Sequence, residues 1–346
     1  MISQSAPVVT NDMNDICSRI PVNDFDGKTI LVTGANSMLG TYVAYTFLHM
    51  ALHQSVNVRT VVLTRSIDRT RQLFSESLGK PYFDIIHSDI TNPIVYDGQV
   101  DYIFHFAGNA SPRAINTDPV GILRSNLSGT FNVMDFAREK GAKVIFASTR
   151  EVYGASGEQS LTESSFGSLD PMDNRSCYPE SKRAAESILR AYHLQYGVEC
   201  VSARIAHCYG PGMKIENDGR VMADFIGDAV NGRDITLNST GDAVRAFCYL
   251  SDAVTALILL ALRGESGTPY NLSNETEPYP IRDVAAMICE EQTRHNIRVV
   301  FSGQQPTAGY CAYKRVALDN SRITALGFTP TVSLREGIRR TLESFA

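Results

Sequence analysis

Tyr178 and Lys182 stand four residues apart in Tyr178-Pro-Glu-Ser-Lys182, a spacing that puts both side chains on one face of a helix. A cation one turn away favours the phenolate, so a phenol whose ordinary pKa is about 10 can take a proton near neutral pH. Upstream, Ser148-Thr149 closes the run Lys143 to Ala147, and either hydroxyl there can share a hydrogen bond with a reacting hydroxyl. A lone Tyr-x-x-x-Lys arises often by chance, and its weight here comes from a third feature. The stretch Thr33-Gly34-Ala35-Asn36-Ser37-Met38-Leu39-Gly40 lies between an apparent strand and an apparent helix. Gly34 permits the sharp turn, Gly40 lets the helix pack closely on the strand, and the first N–H groups of the helix are open to a pyrophosphate. Ser37 stands where another glycine is usual, so the backbone there has to tolerate a side chain. Read alone, a plain strand-to-helix loop explains the same glycines.

The elements that must position these groups follow from hydrophobic period. Short β-branched runs predict buried strands at 28–33, 59–63, 83–87, 102–106, 143–147 and 200–205, and helical patterns occupy 39–52, 68–78, 119–140 and 179–196 between them. Strands alternating with helices predict an α/β fold, a Rossmann doubly wound parallel sheet. After Arg204 the alternation loosens into Gly- and Pro-bearing loops with helices near 221–231 and 252–263. The expected organisation is an N-terminal arm at 1–24 with at most one short helix, a dinucleotide-binding domain at 25–204, and a smaller α/β substrate-binding lobe at 205–346, partly interleaved with the first domain.

Length and composition narrow the class. The 346 residues are 43% hydrophobic, enough for a large core, and carry a formal charge of −5 with no charged tail, which argues against general affinity for nucleic acid or membrane. Seven cysteines without a C-x-x-C pair read as scattered thiols, for which a reducing cytoplasm is the natural setting. The start lacks the pattern of a signal peptide, and Leu257 to Leu262 is too short to span a bilayer, so it reads as a buried helix. His49 and His53 have a metal-ligand spacing but no completing acid or cysteine nearby; they read as surface histidines, and no metal is expected. The run Arg59 to Arg65 ends without the acid that usually holds the ribose of NAD. Arg65 and Arg69 therefore either face the 2′-phosphate of NADP or are solvated charges at a helix start. Asp89 is either an adenine contact or a turn residue.

Gly34 to Gly40, Asp89, His105-Phe-Ala-Gly108, Ser148-Thr149 and Tyr178-x-x-x-Lys182 resemble the extended short-chain dehydrogenase/reductases that modify nucleotide sugars, over about residues 28 to 345. Within them, Asn109-Ala-Ser-Pro112, Ala147 to Gly154, Arg175-Ser-Cys-Tyr178, Tyr209-Gly-Pro211, Asp218 to Val221 and Arg245 to Tyr249 are similar to UDP-glucuronate decarboxylases. The resemblance implies a tightly bound NAD or NADP that is recycled in each turnover, a nucleoside-diphosphate sugar as substrate, and a homodimer built from two helices of each subunit. It implies a cofactor site at Gly34, Asn36, Ser37, Met38, Leu39, Gly40, Arg65, Asp89, Ile90, Ala107, Gly108, Asn126, Tyr178 and Lys182. Tyr178 would take the proton of the sugar 4-hydroxyl, with Thr149 or Ser148 sharing that bond. Lys182 would lower the Tyr178 pKa and hold the nicotinamide ribose, and Glu151 would act at C5 or C6 unless it is a surface carboxylate paired with Arg150. Asn126 would reach the site through a water, or make the local bond usual for a helical asparagine. Arg150, Arg220, Arg245 and Arg315 are the candidate substrate contacts.

Two positions depart from the pattern. Arg150 stands where the 4,6-dehydratases have an acid and the decarboxylases a serine, and Gly212 stands where the decarboxylases have arginine. The implied reaction is transient C4 oxidation followed by decarboxylation or dehydration at C5/C6. Nucleotide-sugar epimerisation or 4-ketoreduction is the alternative within the enzyme class, and a non-catalytic dinucleotide sensor or structural subunit the alternative outside it.

Overall fold

The computed structural model describes residues 2–216, 218–302 and 316–346. Its first part runs α1 (Pro7–Ser18), β1 (Thr29–Thr33), α2 (Met38–His53), β2 (Arg59–Thr64), α3 (Ile67–Leu73), β3 (Phe83–His87), β4 (Tyr102–His105), α4 (Pro112–Thr117), α5 (Pro119–Lys140), β5 (Lys143–Thr149), β6 (Ser160–Leu161), α6 (Cys177–Tyr196) and β7 (Cys200–Ile205). The second part adds β8 (Cys208–Tyr209), α7 (Val221–Val230), β9 (Ile235–Leu237), β10 (Val244–Arg245), β11 (Cys248–Tyr249), α8 (Leu250–Arg263) and β12 (Thr268–Leu272). The chain ends with β13 (Tyr279–Pro280), α9 (Ile281–Glu291), β14 (Val299–Phe301), β15 (Ala317–Leu318), α10 (Ser321–Thr324) and α11 (Leu334–Glu343).

Seven strands form one parallel sheet in the order β3-β2-β1-β4-β5-β7-β12. The order reverses between β1 and β4, which opens a crevice at the carboxyl ends of the strands. Strands covered on both faces have to be apolar on both. In β1, Ile30 and Val32 join one core with α1, α2 and α8, while Leu31 joins the other with α5 and α6. A third core holds α7, α9 and α11 together beside the short parallel pair β9 and β14. The seventh strand, β12, and the helix before it come from beyond residue 204, so the later part of the chain returns to complete the sheet.

The N-terminal segment differs from the expected arm. Proline opens α1 at a position that suits it, and Val9, Met13, Ile16, Cys17 and Ile20 pack into the same core as β1. The stripe also carries Asp12, fully buried, which accepts from Tyr42 (3.0 Å), Tyr249 (2.8 Å) and Arg340 of α11 (2.9 Å). Arg19 reaches the buried Asp252 of α8 at 2.6 Å. Asp12 thus puts a buried carboxylate on the inward face of α1.

His49 also departs from expectation. It is buried, bonds Asn14 of α1 at 3.0 Å and lies 4.6 Å from the ring of His53. Burial, and then His53, push its pKa down to about 4. Among the described residues no three His, Cys, Asp or Glu side chains gather as a metal site, and no helix is long and apolar enough to cross a membrane.

Candidate active site

The crevice is lined first by backbone. Gly34 turns at φ +69, and a Cβ there would fall 2.7 Å from the Ala107 nitrogen. A Cβ on Gly40 would meet the Gly34 carbonyl at 2.4 Å, so α2 presses directly onto the turn. Ser37, in place of the usual glycine, is the N-cap of α2: its extended backbone (φ −86) accommodates a side chain, which accepts from the Gly40 N–H at 3.2 Å. Met38 and Leu39 begin the helix and pack on the first core. Asn36 spans two strand ends, donating to Thr64 at 3.1 Å and accepting from Thr70 at 2.9 Å.

Along the same edge, Asp89 accepts from the N–H and hydroxyl of Thr91 (2.9 and 2.8 Å), contacts that hold its carboxyl below the ordinary range. Arg65 is exposed and stands 3.8 Å from Asp89. Ile90 packs under Gly129 of α5, and Ala107 donates to Thr33 at 3.3 Å. Thr33 also bonds the buried His105 at 2.7 Å. Burial, and then the charge of Lys182, push His105 down to about 3.

The reacting groups meet at the end of β5. Tyr178 is buried at the start of α6, with Thr149 among the groups that favour its phenolate. Burial and the nearby Glu151 push its pKa up to about 12, against the opposing pull of Thr149 and Arg220. Lys182 donates to the Ala147 carbonyl at 2.8 Å and lies 4.5 Å from the centre of the Phe146 ring. Burial lowers it to about 8, with Glu186 opposing. Its ammonium is directed at the strand carbonyl. Ser148 points elsewhere as well, donating to Glu186 at 2.6 Å. Successive strand side chains face opposite ways, so of the two hydroxyls it is Thr149 that meets Tyr178.

Glu151 follows in the 3₁₀ turn Arg150–Tyr153. Its carboxylate, on a side chain 42% exposed, is 3.8 Å from Arg175. Burial raises its pKa, opposed by Arg175 and Arg150. Arg220 pairs with the buried Asp218. Arg150 and Arg245 line a small cavity of about 10 Å³ together with His207 and Glu275. Gly212 has φ +77, with Ile2 lying 3.2 Å from where its Cβ would be, so the N-terminal segment fills this departure from the decarboxylase pattern. Arg315 and Cys311 lie outside the described residues.

Sequence reasoning passed over His207, Arg175, Asp218 and Glu186. Arg175 lies in one of the decarboxylase-like blocks but carried no role there. His207 has a left-handed backbone (φ +47) that no neighbouring residue type announces.

A family model described as "NAD dependent epimerase/dehydratase family" matches residues 30–273, more than half of the chain. The chain belongs to that family. It is 33% identical over 316 residues to UDP-glucuronic acid decarboxylase 6 of Arabidopsis thaliana, covering 91% of this chain and 88% of that protein. It is also 33% identical over 333 residues to UDP-glucuronic acid decarboxylase 1 of Xenopus tropicalis, covering 94% and 73%. Among solved structures, the dTDP-glucose 4,6-dehydratase DesIV of Streptomyces venezuelae, determined with NAD bound, superposes with a TM-score of 0.75 at 25% identity over 92% of this chain and 96% of that one. The fold is shared with UDP-glucuronic acid 4-epimerase of Bacillus cereus, in complex with NAD (TM-score 0.73, 20% identity, 92% and 96% covered).

The residues present fit the dinucleotide of an epimerase/dehydratase family member. Gly108 has φ +150, and a Cβ there would strike Asn126 Oδ1 at 2.5 Å. That Oδ1 is buried with no hydrogen-bond partner, while Asn126 Nδ2 donates to Ser181 at 2.9 Å. A buried acceptor left open beside bare backbone is costly unless a ligand or a water completes it. Gly34 to Gly40 would hold the pyrophosphate, Asp89 and Ile90 the adenine, and Lys182 the nicotinamide ribose.

Proposed function

We propose that this protein acts on a nucleoside-diphosphate sugar by transient oxidation at C4, followed by loss of carbon dioxide or water at C5/C6. The observation that carries the reading is the convergence of Thr149, Tyr178 and Glu151, in which the buried phenol feels both the threonine hydroxyl and the carboxylate. When bound, the oxidised dinucleotide supplies the hydride acceptor for C4 and a positive charge in the site. Thr149 orients the 4-hydroxyl and Tyr178 takes its proton; after loss of carbon dioxide that proton returns as the ketone is reduced, whereas after loss of water the ketone remains and the hydride is spent at C6. The 4-keto group weakens the bond to a C5 carboxylate and acidifies C5, so the elimination needs no further strong catalyst. Glu151, whose pKa is raised, holds a proton more readily than an ordinary carboxylate and delivers or collects it at C5 or C6. Arg150 offers a substrate carboxylate a two-pronged partner. The names of the Arabidopsis and Xenopus relatives support a hexuronate substrate.

The outer faces of α5 and α6 carry exposed Phe131, Leu194 and Tyr196, which favour pairing of two copies there. Sedimentation should give twice the chain mass. Mass spectrometry of products from a panel of UDP-, GDP-, CDP- and dTDP-hexoses and hexuronates tests the reaction. Loss of carbon dioxide or water supports the reading, whereas unchanged mass with shifted retention replaces it with epimerisation.

A further inference from the structure

The last three residues of β5 each face a different turn of α6. Thr149 influences Tyr178, the Ala147 carbonyl accepts from Lys182 at 2.8 Å, and Ser148 donates to Glu186 at 2.6 Å. Tyr178, Lys182 and Glu186 follow one another at intervals of four, so the three contacts run along one helical stripe. Glu186 is held in turn by Arg204 of β7, whose Nε and Nη2 donate at 3.0 and 2.7 Å. Both side chains are largely buried. Arg204 also donates to the Glu163 carbonyl at 2.9 Å and lies 4.8 Å from the ring of Tyr153. Tyr153 bonds Asn271 of β12, so the carboxylate sits at the centre of a brace across three strands and a helix.

We propose that Glu186 is a positioning residue for the acid–base pair: anchored by Ser148 and Arg204, it sets the height of α6 against β5, and its negative charge keeps Lys182 a cation. The inference rests on the roles assigned to Tyr178 and Lys182 in the proposed reaction. It accounts for the orientation of Ser148, whose hydroxyl serves the brace and not the substrate. It also matches the charge balance at Lys182, where burial favours the neutral amine and Glu186 is the opposing group.

The test is the pH dependence of kcat for the dinucleotide-loaded enzyme and for Glu186→Gln, Glu186→Asp, Ser148→Ala and Tyr178→Phe. Activity that needs the Lys182 cation falls as pH rises through its pKa, so Glu186→Gln should move the alkaline limb down by about one pH unit or more and lower kcat about tenfold at neutral pH. Ser148→Ala keeps the charge and should lower kcat with the limb in place, and Glu186→Asp should restore the limb. An unmoved limb in a folded Glu186→Gln overturns the proposal. Should that variant fail to fold, full wild-type kcat in both Ser148→Ala and Glu186→Asp overturns it instead. Wild-type turnover by Tyr178→Phe would show that the acid–base reading itself has failed, and the inference with it.

Discussion

The dinucleotide wall of the cleft hangs on strands in continuous parallel register, whereas the sugar wall is assembled from turns and two-residue strands. On the first wall, Gly34, Asp89, Ala107 and Thr149 end β1, β3, β4 and β5 or follow them within two residues, so the ladder fixes their spacing. On the second, Arg150 comes from a 3₁₀ turn, His207 from a left-handed residue and Arg245 from the two-residue β10. In the proposed reaction, oxidation at C4 uses the rigid wall, since hydride and proton leave along fixed lines. The later chemistry at C5 and C6 would then fall to the looser wall, where a residue such as Arg150 can change without disturbing the sheet.

The largest effect should come from breaking the rigid wall. In Gly34→Val a side chain would sit 2.7 Å from the Ala107 nitrogen at a positive φ. The purified variant should lack dinucleotide, show no turnover and lose about 1–3 kcal/mol of stability in denaturant titration. Retention of dinucleotide by that variant would mean the turn is not the cradle. A change on the other wall should be selective. Arg150→Ser should weaken binding of a nucleotide hexuronate about tenfold or more, the worth of a charge-assisted hydrogen bond, with the neutral hexose unaffected. Calorimetry on the two ligands reads this, and equal losses for both would erase the distinction between the walls.

His105 ties the rigid wall to pH. Its folded pKa is depressed to about 3, against about 6.5 unfolded. Below about pH 6.5 the unfolded chain takes up a proton that the fold refuses, so stability present above that pH is lost as pH falls toward 3. Between pH 7 and 5 the loss from this one group is about 2 kcal/mol. His105→Gln should remove that part of the pH dependence of the unfolding free energy, and an unchanged dependence would contradict it. The smallest effect belongs to the exposed Arg65–Asp89 contact. Arg65→Ala should change stability by no more than about 1 kcal/mol, and a weakened affinity for NADP with NAD unaffected would show that Arg65 reads the 2′-phosphate.

The difference between the walls also explains what was legible in the sequence. The strands at 83–87 and 200–205 and the helix at 119–140 coincide with β3, β7 and α5, because buried parallel strands and an amphipathic helix with Pro near its start and Gly at its end carry strong local signals. The strand β5 runs two residues further than its apolar stretch, since Ser148 and Thr149 are polar yet stay in the ladder with β7. Spacing brought Tyr178, Lys182 and Thr149 to one place but said nothing of what surrounds them. Burial and Glu151, which raise Tyr178, and the Ala147 carbonyl, which holds Lys182, come from chain brought together only by folding. For the same reason the inward face of α1 was hidden by Asp12, whose partners lie 30, 237 and 328 residues away.

The central claim is that Tyr178 carries the proton of the sugar hydroxyl on a dinucleotide wall that stands without it. The direct measurement is turnover of Tyr178→Phe alongside the dinucleotide released when the same preparation is denatured. The account predicts a kcat lower by about 10²–10⁴-fold, the usual worth of a positioned acid–base group, with dinucleotide content equal to wild type. Turnover at the wild-type rate, or loss of dinucleotide together with activity, would contradict it.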